Sequence, residues 1–193
     1  MKRARRTGGC GYAEKRKMNA KREKAQTGLR AEIAAGGGVR MREATAEDGP
    51  RVIALVNAAY AVEDFLEGTR TDPERLAATM AKGTVLVAEV EGGGLVGTVY
   101  YEARGERGYM GMLAVEPARQ GEGLASMMVR EAEDRLRAAG CRAVDITVLS
   151  LRPELLPIYR RFGFVETGTE PFAYGRVFKE PMECHCIRMA KEL

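Results

Sequence analysis

Leu113-Ala-Val-Glu-Pro-Ala-Arg-Gln-Gly-Glu-Gly-Leu-Ala-Ser126 reads as a strand that leaves through a proline turn, crosses a glycine loop and opens a long helix. Gly121 and Gly123 permit backbone conformations that side chains disfavour, and the first N–H groups of a helix beginning near Leu124 have no partners within it. The positive end of the helix dipole adds to those donors, so the segment can seat an anion such as a pyrophosphate. Taken alone, a Gly-x-Gly before a helix is equally compatible with a plain connection.

Working outward, the helix spans 123–139, with Leu124, Met128, Ala132 and Leu136 on one side, Glu and Arg opposite, and Gly140 closing it. The near-continuous apolar run Ala143 to Leu149 follows as a buried strand, so strand, crossover helix and strand form a right-handed parallel unit. Upstream, Val39 to Glu43 reads as a strand. Thr45-Ala-Glu-Asp48 has capping-box spacing, and Pro50 suits the first turn of a helix whose apolar face runs through Val52, Ile53, Val56, Ala59 and Tyr60 to about Ala61. Residues 62–72 read as a loop, Asp72-Pro73 caps a second helix ending before Gly83, and Thr84 to Val90 and Leu95 to Ala103 form a hairpin across Glu91-Gly-Gly-Gly94. A turn at Arg104-Gly-Glu-Arg107 leads into the strand 108–115. Strands resume around 164–169 and 182–189, with the irregular aromatic loop Pro171 to Phe178 between them.

The loop Gln120-Gly-Glu-Gly-Leu-Ala125 resembles the Gln/Arg-x-x-Gly-x-Gly/Ala signature of the GNAT superfamily of N-acetyltransferases, with Gln120, Gly123 and Ala125 at the defining positions. Met112-Leu-Ala-Val-Glu-Pro117 resembles that family's fourth strand, and Ile158-Tyr-Arg-Arg-Phe-Gly-Phe164 its helix-to-strand segment. The resemblance covers residues 39–193 and is most specific over 109–170. It implies an α/β (α+β) GNAT acyl-CoA N-acyltransferase fold: a mixed, mostly antiparallel sheet with helices on both faces and one splayed parallel strand pair. It also implies acetyl-CoA as co-substrate, an amine acceptor, direct transfer without an acyl-enzyme, and no metal.

The resemblance assigns roles residue by residue. The backbone of Leu113, Ala114 and Val115 would pair with the pantetheine arm, and the Leu113 N–H would face the thioester carbonyl as an oxyanion donor. Gln120, Gly121, Glu122, Gly123, Leu124, Ala125 and Ser126 would surround the pyrophosphate. Tyr159 would protonate the departing thiolate, since a phenol of pKa ~10 is close enough to a thiol of pKa ~8.5 for the transfer to be feasible. The competing reading of Tyr159 is a packing residue of the core. Two positions depart from the family pattern. Arg152 stands where many members have an Asn, and could reach a cofactor phosphate or lie in solvent; Pro157 should kink or restart the helix before Tyr159. Tyr109-Met-Gly-Met112 holds no acid, so Glu102 on the neighbouring strand is the candidate general base, with Glu63, Asp64 and Glu67 behind it.

The 193-residue chain is 45% hydrophobic and 30% charged, which suits one globular domain with a real core. No apolar run approaches the roughly 18 residues of a membrane helix and no secretory h-region stands at the start, so a cytoplasmic protein without membrane contact is expected. Residues 1–38 carry 11 Lys/Arg against 3 Glu, so the net charge of +4 leaves 39–193 at −4. That basic segment has almost no large apolar residues and reads as a disordered extension ending in Gly36-Gly-Gly38, with Met18 as an alternative start. An arm touching nucleic acid or the ribosome, and a targeting peptide, are its secondary readings. A homodimer is compatible with the sequence.

The four cysteines, at 10, 141, 184 and 186, are too few and too uneven for a disulfide framework, and Cys184-His185-Cys186 supplies only two converging ligands. They read as reduced thiols and small core residues. Against a dinucleotide fold, Ser126 replaces the third glycine and three antiparallel strands precede the loop. A catalytically silent acetyl-CoA-binding module of the same fold is the reading from a different functional class.

Overall fold

The computed structural model describes residues 38–172 and 177–193; the basic segment up to residue 37 and residues 173–176 of the aromatic loop lie outside the described residues. In chain order the elements are β1 (Val39–Glu43), α1 (Gly49–Ala59), α2 (Pro73–Met80), β2 (Thr84–Val90), β3 (Leu95–Arg104), β4 (Arg107–Val115), α3 (Leu124–Ala138), β5 (Ala143–Leu149), α4 (Leu156–Arg161), β6 (Val165–Pro171) and β7 (His185–Glu192). Seven strands form one sheet in the order β1-β2-β3-β4-β5-β7-β6. Every neighbouring pair is antiparallel except β4 and β5.

Local sequence accounts for where the helices begin. The Thr45 amide donates to Asp48 at 2.8 Å, closing the capping box, and Asp72 accepts from the Arg75 amide at 2.9 Å with Pro73 in the first turn. Asp48 is buried and held by Arg42 at 2.6 and 2.8 Å and by Arg51 at 2.5 Å, so its carboxyl sits well below the usual range, mainly through the Arg42 hydrogen bonds. α1 stops at Ala59, two residues earlier than its apolar pattern suggested, and β7 begins at His185 rather than at 182.

The two faces of the sheet are covered differently. On one, Val85, Val87, Tyr100 and Ala114 pack with Val52 and Val56 of α1 and Leu76 of α2. On the other lies α3, which buries Leu124, Met128, Ala132 and Leu136 as its periodicity required. Its close approach depends on glycine: a Cβ at Gly97 would come within 2.6 Å of Met128, and one at Gly108 within 2.6 Å of Leu136. Glu133 corrects the simple amphipathic picture. It lies on the buried side of α3 and is 2% exposed, with Lys191 Nζ of β7 at 2.7 and 2.8 Å from its two oxygens.

Candidate active site

β4 and β5 run parallel, yet among the described residues they pair only at Arg107↔Ala143, Gly108↔Val144 and Tyr109↔Asp145. Arg107 closes that end, donating to both oxygens of Asp145 at 2.8 and 2.5 Å. Beyond Tyr109 the ladder ends. On its other edge β4 pairs Gly111 with Tyr100 and Ala114 with Thr98, so two residues, Met112 and Leu113, oppose the single Val99. This is a β-bulge, and it bends the strand and re-aims its backbone. Met112 has φ 48°, the one positive value for a non-glycine residue among those described. The Tyr60 hydroxyl of the segment after α1 donates to the Leu113 carbonyl at 3.2 Å, and the Arg70 guanidinium lies 4.7 Å above the Tyr60 ring.

At the exit of β4 a 3-10 turn over Pro117–Arg119 leads into the glycine loop. Gly121 has φ 86° and Gly123, the N-cap of α3, φ 91°. The first intrahelical bond runs from the Met127 amide to the Gly123 carbonyl, leaving the amides of Leu124, Ala125 and Ser126 without partners inside the helix. A Cβ placed on Gly123 would meet no protein atom within 4 Å, so the space before these amides is open. The loop's side chains turn away from it. Glu122 is buried and paired with Arg119 at 3.1 Å, Gln120 Nε2 donates to the Val115 carbonyl at 3.4 Å, and the Ser126 hydroxyl accepts from Arg130 at 2.9 Å. With Glu122 neutralised by Arg119, the outward surface is backbone donor and fits a phosphate group.

Tyr159 sits in α4. Pro153 opens a 3-10 turn and Pro157 lies in the first turn of the helix, so the helix starts afresh there as the sequence required. The ring is half-buried and held edge-to-face by Phe162 and Phe164 at 6.2 and 5.9 Å. Burial pushes the phenol above its ordinary value; the nearby Tyr60 and Tyr109 add to the shift, and Arg152 and Arg70 oppose it. Tyr159 is thus within electrostatic reach of Tyr60, whose hydroxyl holds the carbonyl of the bulge.

A cleft of about 830 Å³ opens along the sheet face shared with α1 and α2, lined by Tyr109 and Met112 of β4 and by Ile146 and Thr147 of β5. It therefore straddles the divergence of the two strands. Glu102 lines it too, but its Oε2 already accepts from the Arg104 guanidinium at 2.8 Å and the Tyr100 hydroxyl at 2.9 Å. The Arg104 bond, ahead of the others, draws its carboxyl below the ordinary value, which weakens it as a proton acceptor. Among the other acids, Asp64 and Glu67 are exposed and Glu63 is buried. Arg152 does not lie in solvent: it donates to Glu63 at 3.1 Å and to Glu154 at 2.5 Å, with 14% of its side chain exposed. The loop after α1 is in turn tied to the chain before β7, the Glu67 amide donating to the Val177 carbonyl at 2.9 Å and the Lys179 amide to the Phe65 carbonyl at 3.1 Å.

Among the described residues no three His, Cys, Asp or Glu side chains converge as a metal site. Cys186 is buried beside Leu66 and Leu149, whereas Cys184 precedes β7 and is half-buried. No described helix is long and apolar enough to cross a membrane.

Residues 50–164 match the family described as the acetyltransferase (GNAT) family. Solved structures with the same architecture include an N-acetyltransferase from Staphylococcus aureus Mu50, with TM-score 0.65 and 18% identity over 81% of this chain and 99% of that one. An acetyltransferase of the GNAT family from Streptococcus pneumoniae gives 0.62 and 22% over 80% and 99%. The ribosomal-protein-S18-alanine N-acetyltransferase from Escherichia coli gives 0.61 and 16% over 80% and 93%. At these identities the likeness is one of fold.

Proposed function

The chain belongs to the GNAT acetyltransferase family, and from that membership we propose that it is an acetyl-CoA-dependent N-acetyltransferase that passes the acetyl group directly to a primary amine. The observation that carries the reading is a juxtaposition: the β4 bulge, the open glycine loop and Tyr159 all serve the splayed end of one strand pair. The pyrophosphate rests on the amides of Leu124, Ala125 and Ser126 and on the backbone around Gly121 and Gly123, where a side chain would intrude. The pantetheine arm lies along the unpaired edge of Leu113, Ala114 and Val115. The Leu113 N–H, fixed by the bulge and by the Tyr60 bond to the same residue, donates to the thioester oxygen as negative charge develops on it.

The amine nitrogen approaches through the cleft and forms the new C–N bond while the C–S bond breaks. Tyr159 gives its proton to the departing sulfur, and the proton lost by the acceptor nitrogen restores the phenol. An amine that arrives neutral needs no carboxylate base, which suits the poor basicity of Glu102. The test is release of free thiol from acetyl-CoA across a panel of primary amines, with acetylated product identified by mass. Amine-dependent release with one acetyl per thiol supports transfer. Tight acetyl-CoA binding without release from any amine would leave a binding module and contradict the enzyme reading.

A further inference from the structure

The charge of the cleft runs against that of the domain around it. Residues 39–193 carry a net −4, yet the cleft is lined by the cations Arg70, Arg75, Lys82, Arg104, Arg107 and Arg188 against the acids Glu102, Asp145 and Glu170. Two of the acids are spoken for within the lining, Glu102 by Arg104 at 2.8 Å and Asp145 by Arg107 at 2.8 and 2.5 Å. Of the remaining cations, Arg75 has Asp72 at 3.5 Å and Arg70 has Glu63 at 3.9 Å, and both of those acids lie outside the lining. Lys82 and Arg188 have no ion-pair partner among the described residues.

Their placement matters as much as their number. Lys82 follows α2 on the β3 side of the cleft, while Arg188 projects from β7, in register with Thr147 of β5. Thr84, two residues after Lys82, pairs with Tyr101 and Tyr101 with Met110, so Lys82 lies toward the closed end of the β4–β5 pair, whereas Arg188, level with Thr147, lies on the β7 rim nearer the splayed end. A groove with walls of one sign focuses its field on a ligand of the other and raises that ligand's local concentration. A polyamine or other purely cationic acceptor meets repulsion there.

Resting on the acetyltransfer reading, we propose that the acceptor is an amine bearing an anionic group on the same molecule, drawn into the cleft by this surplus of cations, with Arg188 holding the anion while the amine nitrogen reaches the splayed end.

The test uses matched acceptors that keep the amine and change only the charge, glutamate against glutamine and 4-aminobutyrate against 4-aminobutanamide, with putrescine as the cationic extreme. The anionic member of each pair should have kcat/KM about tenfold higher, expressed mainly in KM, with the ratio shrinking as salt is raised. In the Lys82→Met, Arg188→Met double variant the ratio should fall to about twofold or less while acetyl-CoA affinity by calorimetry stays at the wild-type value. If the neutral members or putrescine are acetylated as efficiently as the anions, or if the double variant keeps the full ratio, this inference is overturned and acetyltransfer stands. If no member of the panel is acetylated, both fall together.

Discussion

The two ends of the β4–β5 pair are built for opposite purposes. At the start, three residue pairs, the Arg107–Asp145 ion pair and the packing of Leu136 onto Gly108 hold the strands together. At the finish, a bulge at Met112–Leu113, a glycine loop with two left-handed residues and a helix start with unpaired amides hold them apart. The closed end obeys ordinary packing rules, with a filled core and a satisfied ladder. The open end breaks them locally, through backbone strain and exposed donors, and such breaks mark a site that a ligand completes. Substitutions at the two ends should therefore have separable effects.

The largest effect is expected from Gly123→Val. At φ 91° a β-branched residue is strained, at a cost of ~1–2 kcal/mol or more, and its side chain would stand before the Leu124–Ser126 amides. Acetyl-CoA binding should disappear by calorimetry, while circular dichroism shows a folded protein with a lowered melting point. Wild-type affinity in that variant would show that the open space at the loop is not the phosphate seat.

Tyr159→Phe should be next, lowering kcat by roughly 10-fold to 1,000-fold with acetyl-CoA affinity nearly unchanged, because only the proton donor is lost. Its pH dependence has a definite sign. Burial raises the phenol's pKa, so the protonated, donating form persists to higher pH than for an ordinary tyrosine, and no alkaline fall in kcat should originate from Tyr159 below about pH 10. A wild-type profile that falls with a midpoint near pH 9 and flattens in Tyr159→Phe would contradict this.

Gly108→Ala, at the closed end, reverses the pattern. The new methyl would lie 2.6 Å from Leu136, which is fully buried and cannot swing away, so a loss of ~1–3 kcal/mol of stability is expected by denaturant titration. Acetyl-CoA affinity should change by about twofold at most. A large loss of affinity there would join the two ends into one unit.

Much of this contrast was legible in the sequence. Periodicity fixed α3 and its buried Leu124, Met128, Ala132 and Leu136, and the apolar run at Ala143 to Leu149 marked a strand that is buried except at Asp145 and Thr147. Gly121 and Gly123 declared the loop because few other residues adopt their φ. The bulge was not legible: Met112 is no αL former, and its φ of 48° is imposed by tertiary packing of β3 and β4. The pairing of Arg152 was hidden for a related reason, since its partner Glu63 lies 89 residues away in sequence and only the fold brings them to 3.1 Å. Glu133 looked like a surface acid until Lys191 of the last strand arrived to pair with it. The cleft's cations come from three separate strands and from the segment holding α2, so no local window revealed their sum.

The measurement that tests the central claim most directly is amide hydrogen exchange with and without saturating acetyl-CoA, read residue by residue. Slower exchange is expected at Leu113, Ala114 and Val115 and at Leu124, Ala125 and Ser126 together, with the paired segment Arg107–Tyr109 unaltered because its ladder is already complete. Acetyl-CoA that binds while leaving both the bulged edge and the helix start at their free-protein exchange rates would contradict the account.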